Sequence, residues 1–224
     1  MKEYSIFDMI GPVMIGPSSS HTAGACRIGF MARSIMRCPP VHVCFHLFGS
    51  FARTYRGHGT DMALLGGFLG FCPDDERITD AYAVAKERGL ENAFVPSGED
   101  VDHPNTVVVR ARCADGQSAE IRGVSLGGGK VVITAINGIE VEYTGEYTTI
   151  VTIHRDNPGM IARIAASLAG AGVNIANMRL YRKSRGERAI CIIENDDRVP
   201  DALVCELQNL EGMHQVTLLD KVYD

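Results

Sequence analysis

The chain has 224 residues, 46% of them hydrophobic, and 22 Lys and Arg against 27 Asp and Glu give a formal charge of −5. This length and apolar content support one or two globular domains with a real core. The acidic balance, without a long basic cluster, argues against nucleic acid or an anionic membrane as main partner. No apolar run approaches the roughly 18 residues of a membrane span, and no basic start leads into an apolar stretch. A cytoplasmic protein acting on a small molecule or another protein is therefore expected.

The first informative stretch, Gly16-Pro17-Ser18-Ser19-Ser20-His21-Thr22, sets hydroxyls around an imidazole just before Ile28, Ala32, Ile35 and Met36, which recur at helical spacing. A helix N-terminus there offers amides to a carboxylate or phosphate, with Ser18, Ser19, Ser20 and Thr22 beside them and His21 titrating near neutrality. Val41, Val43, Phe45 and Leu47 alternate with His42, Cys44 and His46 as a strand, on which the two histidines read as structural. Gly57-His58-Gly59-Thr60-Asp61 leaves an imidazole between glycines and opens a helix over 59–70, and a second helix is expected over 80–88. His103-Pro104-Asn105 stiffens a turn that can aim an imidazole and an amide at one point. Strands over 106–112 and 118–125 flank Asp115-Gly116, a hairpin signal. Ser125-Leu126-Gly127-Gly128-Gly129-Lys130 is a Gly-rich bend able to receive an anion but lacking nucleotide-loop spacing, and a strand over 130–136 follows.

A break near Tyr143 to Tyr147 divides the chain into domains 1–143 and 148–224. The second reads strand, helix, strand, strand, helix, strand: a ferredoxin-like βαββαβ arrangement whose open sheet face needs a partner. Seven cysteines, Cys26, Cys38, Cys44, Cys72, Cys113, Cys191 and Cys205, include no C-x-x-C pair and read as reduced, mostly buried thiols. No metal site made by this chain alone is expected.

Asp156-Asn157-Pro158-Gly159-Met160-Ile161 followed by Gly172-Val173-Asn174-Ile175 resembles the signature of an ACT domain, the small amino-acid-binding regulatory module. The resemblance implies a regulatory ligand on Asn157, Pro158, Gly159 and Met160, with Asn174 and Ile175 facing them, and self-association through paired ACT units. The four polar islands together resemble the β chain of the two-chain, iron–sulfur-dependent L-serine dehydratase (L-serine ammonia-lyase), over nearly the whole chain. The fold implied is α/β (α+β): an N-terminal serine-dehydratase β domain, then the ACT domain. The resemblance further implies conversion of L-serine to pyruvate and ammonia with an α chain that carries a 4Fe-4S cluster, this chain holding none of its ligands. On that reading His58 and His103 handle protons or position substrate, and Thr60, Asn105 and Ser125 orient its carboxylate or amine. Ser18 to Thr22 complete the pocket at the chain interface, with Gly127 and Gly128 in the anion-receiving bend. The first domain also resembles the serine-binding domain of some phosphoglycerate dehydrogenases, so a non-catalytic serine sensor is the alternative.

Overall fold

The computed structural model describes residues 12–36 and 38–223; residues 1–11 of the expected first domain lie outside them. The chain divides into two compact units, Met1–Gly138 and Ile139–Asp224. Residues 139–143, which the sequence grouped with the first domain, fall in the second unit.

In the first unit the strands β1 (Pro40–Leu47), β2 (Glu91–Pro96), β3 (Thr106–Cys113), β4 (Ser118–Gly127) and β5 (Lys130–Ile136) are ordered β2-β1-β3-β4-β5. Only β1 and β2 run parallel; the other pairs are antiparallel. The alternation read in β1 has its cause here, since Val43, Phe45 and Leu47 are fully buried. Phe45 stacks on Phe94 at 4.8 Å between ring centres and meets Phe68 edge-on at 5.9 Å.

Helices α1 (Gly24–Ile35), α2 (Gly49–Thr54), α3 (Thr60–Phe68) and α4 (Ala81–Glu87) complete this unit. The sequence showed neither α2, which has six residues and one buried apolar side chain, nor β2, a mostly exposed edge strand. Between α1 and α3 the backbones nearly touch. A Cβ on Gly67 would lie 1.8 Å from the Cys26 carbonyl oxygen, and one on Gly29 2.2 Å from that of Leu64. Those two helices are therefore locked in register by glycine.

The second unit holds β6 (Ile139–Tyr143), β7 (Thr148–Arg155), α5 (Met160–Gly170), β8 (Ile175–Arg182), β9 (Arg188–Asn195), α6 (Asp201–Gln208) and β10 (Met213–Leu219). Its sheet, β10-β7-β9-β8, is antiparallel throughout, and Ile150, Cys191 and Ile193 pack with Ile164, Leu168, Leu203 and Leu207 of the helices. The expected βαββαβ order is present.

Two expectations for this unit change. By strand alternation Val151, Ile190 and Ile192 face away from the helices, and all three are buried. On that side Tyr181 accepts the Glu142 N–H at 3.1 Å and Arg179 pairs with the Glu142 carboxylate, so β6 covers part of the face expected to await a partner. Asn174 and Ile175 do not face Asn157–Met160 within one chain. Thr148 and Ile175 both pair with Asn195 at the start of β7, whereas the loop follows its end, about 25 Å away at roughly 3.3 Å per strand residue.

The reading of the cysteines as uniformly reduced and mostly buried also fails. Pro40 pairs with Cys113, which brings Cys38 alongside, and the two cysteines form a disulfide with Cα atoms 6.1 Å apart. Of the free cysteines Cys26 and Cys191 are buried, Cys44 is half-buried, and Cys72 and Cys205 are exposed. Overpacking the α1–α3 contact is expected to cost about 1–3 kcal/mol, so Gly67→Ala should lower the urea midpoint of the first unit. An unchanged midpoint would contradict the close backbone approach.

Candidate functional site

Ser18 opens a π-helical turn, Ser19–Ala23, that runs directly into α1. Its hydroxyl accepts the His21 N–H at 3.3 Å and its carbonyl the Thr22 N–H at 2.8 Å. These two amides are thus satisfied locally, so the anion cradle expected from the bare helix end loses them. What the turn presents instead is side chains. His21 Nδ1 lies 3.0 Å from the Ser20 hydroxyl and Nε2 3.1 Å from that of Ser50, so both ring nitrogens are held. The ring packs edge-on against Phe51 at 5.2 Å and against His58 at 4.9 Å between centres.

The other islands join through short contacts. Ser125 donates to the Ser20 carbonyl at 2.9 Å, and a Cβ on Gly24 would stand 2.1 Å from that hydroxyl, so glycine there admits the serine. Ser125 N donates to the Asn105 carbonyl at 3.0 Å, and Asn105 N to His103 Nδ1 at 3.2 Å. The Pro104 carbonyl accepts from Ser50 N at 2.6 Å, and Gly49, at φ +53°, leaves no room for a Cβ beside Pro104. Asp61, in the first turn of α3, accepts from Tyr82 at 2.9 Å through Oδ2.

Five buried polar atoms in these segments have no hydrogen-bond partner among the described residues: Thr22 Oγ1, His58 Nδ1, Thr60 Oγ1, Asp61 Oδ1 and Asn105 Oδ1. Each such atom costs about 1–3 kcal/mol when left unsatisfied, and folded proteins carry few of them. These five comprise two hydroxyls, an imidazole nitrogen, a carboxylate oxygen and an amide oxygen. Burial, and secondarily the neighbouring His58, lowers the His21 pKa below the ordinary imidazole value, so this ring is neutral at pH 7.

The structure therefore gathers Ser18, Ser20, His21, His58, Asn105 and Ser125 into one contact chain, with Thr22, Thr60 and Asp61 on the same turns. His103 uses Nδ1 to brace the Asn105 amide, which makes it a shaper of the turn. Gly127 ends β4 and Gly128 forms the turn to β5, beyond the exposed Leu126. Among the described residues no hydrogen bond ties either glycine to the cluster. Sequence reading missed Ser50, Gly49 and Tyr82. A Gly-Ser pair closing an alternating strand was the available signal for the first two, and nothing local marks Tyr82.

The family profile described as serine dehydratase beta chain matches residues 5–92, and the ACT domain profile matches residues 147–212. The probable L-serine dehydratase beta chain of Bacillus subtilis (strain 168) is 44% identical, over 97% of this chain and 98% of its own length. The chain belongs to the serine dehydratase beta chain family. The L-serine dehydratase beta chain of Peptoniphilus asaccharolyticus, another similar protein, is 40% identical over 94% of this chain and 96% of its own. The D-3-phosphoglycerate dehydrogenase of Bacillus subtilis (strain 168) is 28% identical over 88% of this chain but only 37% of that enzyme. No helix among the described residues is long and apolar enough to cross a membrane.

The lowered His21 pKa sets a pH dependence of stability. Below the ordinary value of 6.5 the unfolded chain takes up a proton that the folded ring resists, so stability falls as pH drops through that value until the folded ring also protonates. Urea midpoints between pH 7.5 and 5.5 should fall more steeply for the native chain than for His21→Gln. His46, also lowered by burial, contributes to both and cancels. Parallel slopes would contradict a buried neutral His21.

Proposed function

We propose that this chain is the β subunit of an L-serine ammonia-lyase that converts L-serine to pyruvate and ammonia together with an α chain, and that the residue 18–125 cluster is its share of the serine site. The observation that carries the reading is the set of five unpartnered buried polar atoms on segments that otherwise brace one another. L-serine matches them group by group. Its ammonium can donate to Asp61 Oδ1 and Asn105 Oδ1, and its carboxylate can accept from the Thr22 and Thr60 hydroxyls.

The elimination removes the α-proton and the β-hydroxyl, leaving aminoacrylate, which tautomerises to the imine and is hydrolysed to pyruvate and ammonia. His58 is the better placed proton acceptor of the two cluster imidazoles, because its Nδ1 is buried without a partner among the described residues while both nitrogens of His21 are engaged. The neutral His21 ring, fixed by Ser20 and Ser50, positions His58 and adds no second charge beside it when His58 is protonated. Ser125 and His103 hold the turns that present Asn105.

A 4Fe-4S cluster does not fit the cysteines described here. Cys26 and Cys191 are buried thiols pushed up to about 12, and the one described group of three converging metal-type side chains, Cys38, Cys113 and Asp115, has two sulfurs joined as a disulfide. The reading therefore assigns the cluster to the α chain, where a Lewis acid for the departing hydroxyl would reside. The ACT unit is proposed as the regulatory part, self-associating so that Asn157–Met160 of one copy meets Asn174 and Ile175 of another, an arrangement the strand geometry requires if those residues share a ligand.

Likeness to a phosphoglycerate dehydrogenase favours one second reading, a serine-responsive regulatory chain without catalysis. Anaerobic coexpression with a candidate α chain, followed by pyruvate formation from L-serine, separates the two. Turnover is expected only with both chains present. His58→Asn should lower kcat about 100-fold or more, the usual scale for loss of a general base, and Thr60→Val should act mainly on KM. Full turnover by the His58 variant would refute its role, and serine binding without turnover in any assembled complex would favour the regulatory reading.

A further inference from the structure

The pole of the first unit opposite the polar cluster contains a cavity of about 460 Å³. The same elements carry both places. The cluster occupies the N-terminal ends of α1 and α3 and the end of β1, whereas the cavity is lined by Phe30, Arg33 and Ser34 late in α1, by Phe68 at the end of α3, and by Arg88 and Leu90. Along α1, Phe30 and Arg33 of the cavity lie about 9 and 14 Å beyond Gly24 at 1.5 Å per residue, so the cavity is not an extension of the serine site.

Its chemistry is specific. Arg33 donates to the Met36 carbonyl at 3.3 Å and Arg88 to the Leu69 carbonyl at 2.9 Å. Both acceptors are neutral, and among the described residues neither guanidinium is paired with a carboxylate. A guanidinium has five donors, so most of each fork is uncommitted by these bonds. Burial penalises the charge on Arg33, a cost that a bound anion offsets. Apart from Ser34, whose hydroxyl donates to the Phe30 carbonyl at 2.9 Å, the remaining wall is aromatic and aliphatic, and the described lining contains no acidic side chain.

We propose that this cavity is a second ligand site, for a small organic carboxylate with an apolar body and no ammonium group. Two guanidinium forks receive a carboxylate through paired, charge-assisted hydrogen bonds, and Phe30, Phe68 and Leu90 cover the hydrocarbon part. An amino acid is rejected because its ammonium would enter a space bearing two like charges and no acidic partner. The site thus separates 2-oxo acids from the amino acids related to them, which is the opposite preference to that of the polar cluster.

The test uses the full chain and an isosteric pair, 4-methyl-2-oxopentanoate and L-leucine, with inorganic phosphate as an anion lacking an apolar body. Titration calorimetry should show saturable binding of the oxo acid and at least tenfold weaker binding of both L-leucine and phosphate. Arg33→Gln and Arg88→Gln should each weaken the oxo acid about tenfold or more. As a readout independent of variant folding, the Nε–H resonances of Arg33 and Arg88 in the native chain should shift on titration with the oxo acid. No saturable binding, equal affinity for L-leucine or phosphate, undiminished affinity in both folded variants, or binding that leaves both arginine resonances unmoved would each overturn the proposal.

Discussion

The backbone contact between α1 and α3 is the constraint on which the first unit depends. With Gly29 against Leu64 and Gly67 against Cys26, the two helices cannot slide or rotate without collision. Their N-terminal ends must therefore stay together, and those ends carry Ser18 to Thr22 on one side and His58 to Asp61 on the other. The edge-on contact of His21 with His58 follows from helix packing more than from any attraction between imidazoles. At their other ends the same two helices hold Phe30, Arg33 and Phe68 around the arginine-lined cavity.

Around that frame the polar cluster is divided into braced and unbraced groups. Ser18, Ser20, Ser50, Ser125 and His103 bond to other parts of the cluster and fix its shape. Thr22, His58, Thr60, Asp61 and Asn105 each retain a buried atom without a partner among the described residues. A site whose supports are satisfied and whose presenting atoms are not is preorganised for a polar ligand, at a stability cost carried by the surrounding core.

Much of this was legible in the sequence, for definable reasons. Long alternating or helical patterns marked β1, α1, α3 and the whole βαββαβ unit, because burial on one face enforces them. The islands Ser18–Thr22 and His58–Asp61 stood out because imidazoles and hydroxyls beside glycine are poor core material. Short elements with little burial, α2, β2 and β6, left no such pattern, and Ser50 was hidden with the first of them. The Cys38–Cys113 link spans 75 residues and follows from β1–β3 register, which no local signal reports. That Asn174 and Asn157 of one chain lie at opposite ends of the sheet, because β7 and β8 start at the same end, is a matter of topology invisible in the motif.

The central claim is that the unpartnered atoms of the cluster receive serine. With ring-¹⁵N-labelled histidine in this chain and the α chain bound, addition of L-alanine, which lacks the departing hydroxyl, tests it most directly. The account predicts a saturable change at His58 Nδ1, with the two nitrogens of His21 moving little because Ser20 and Ser50 already hold them. A His58 signal indifferent to the amino acid in the assembled complex would contradict it.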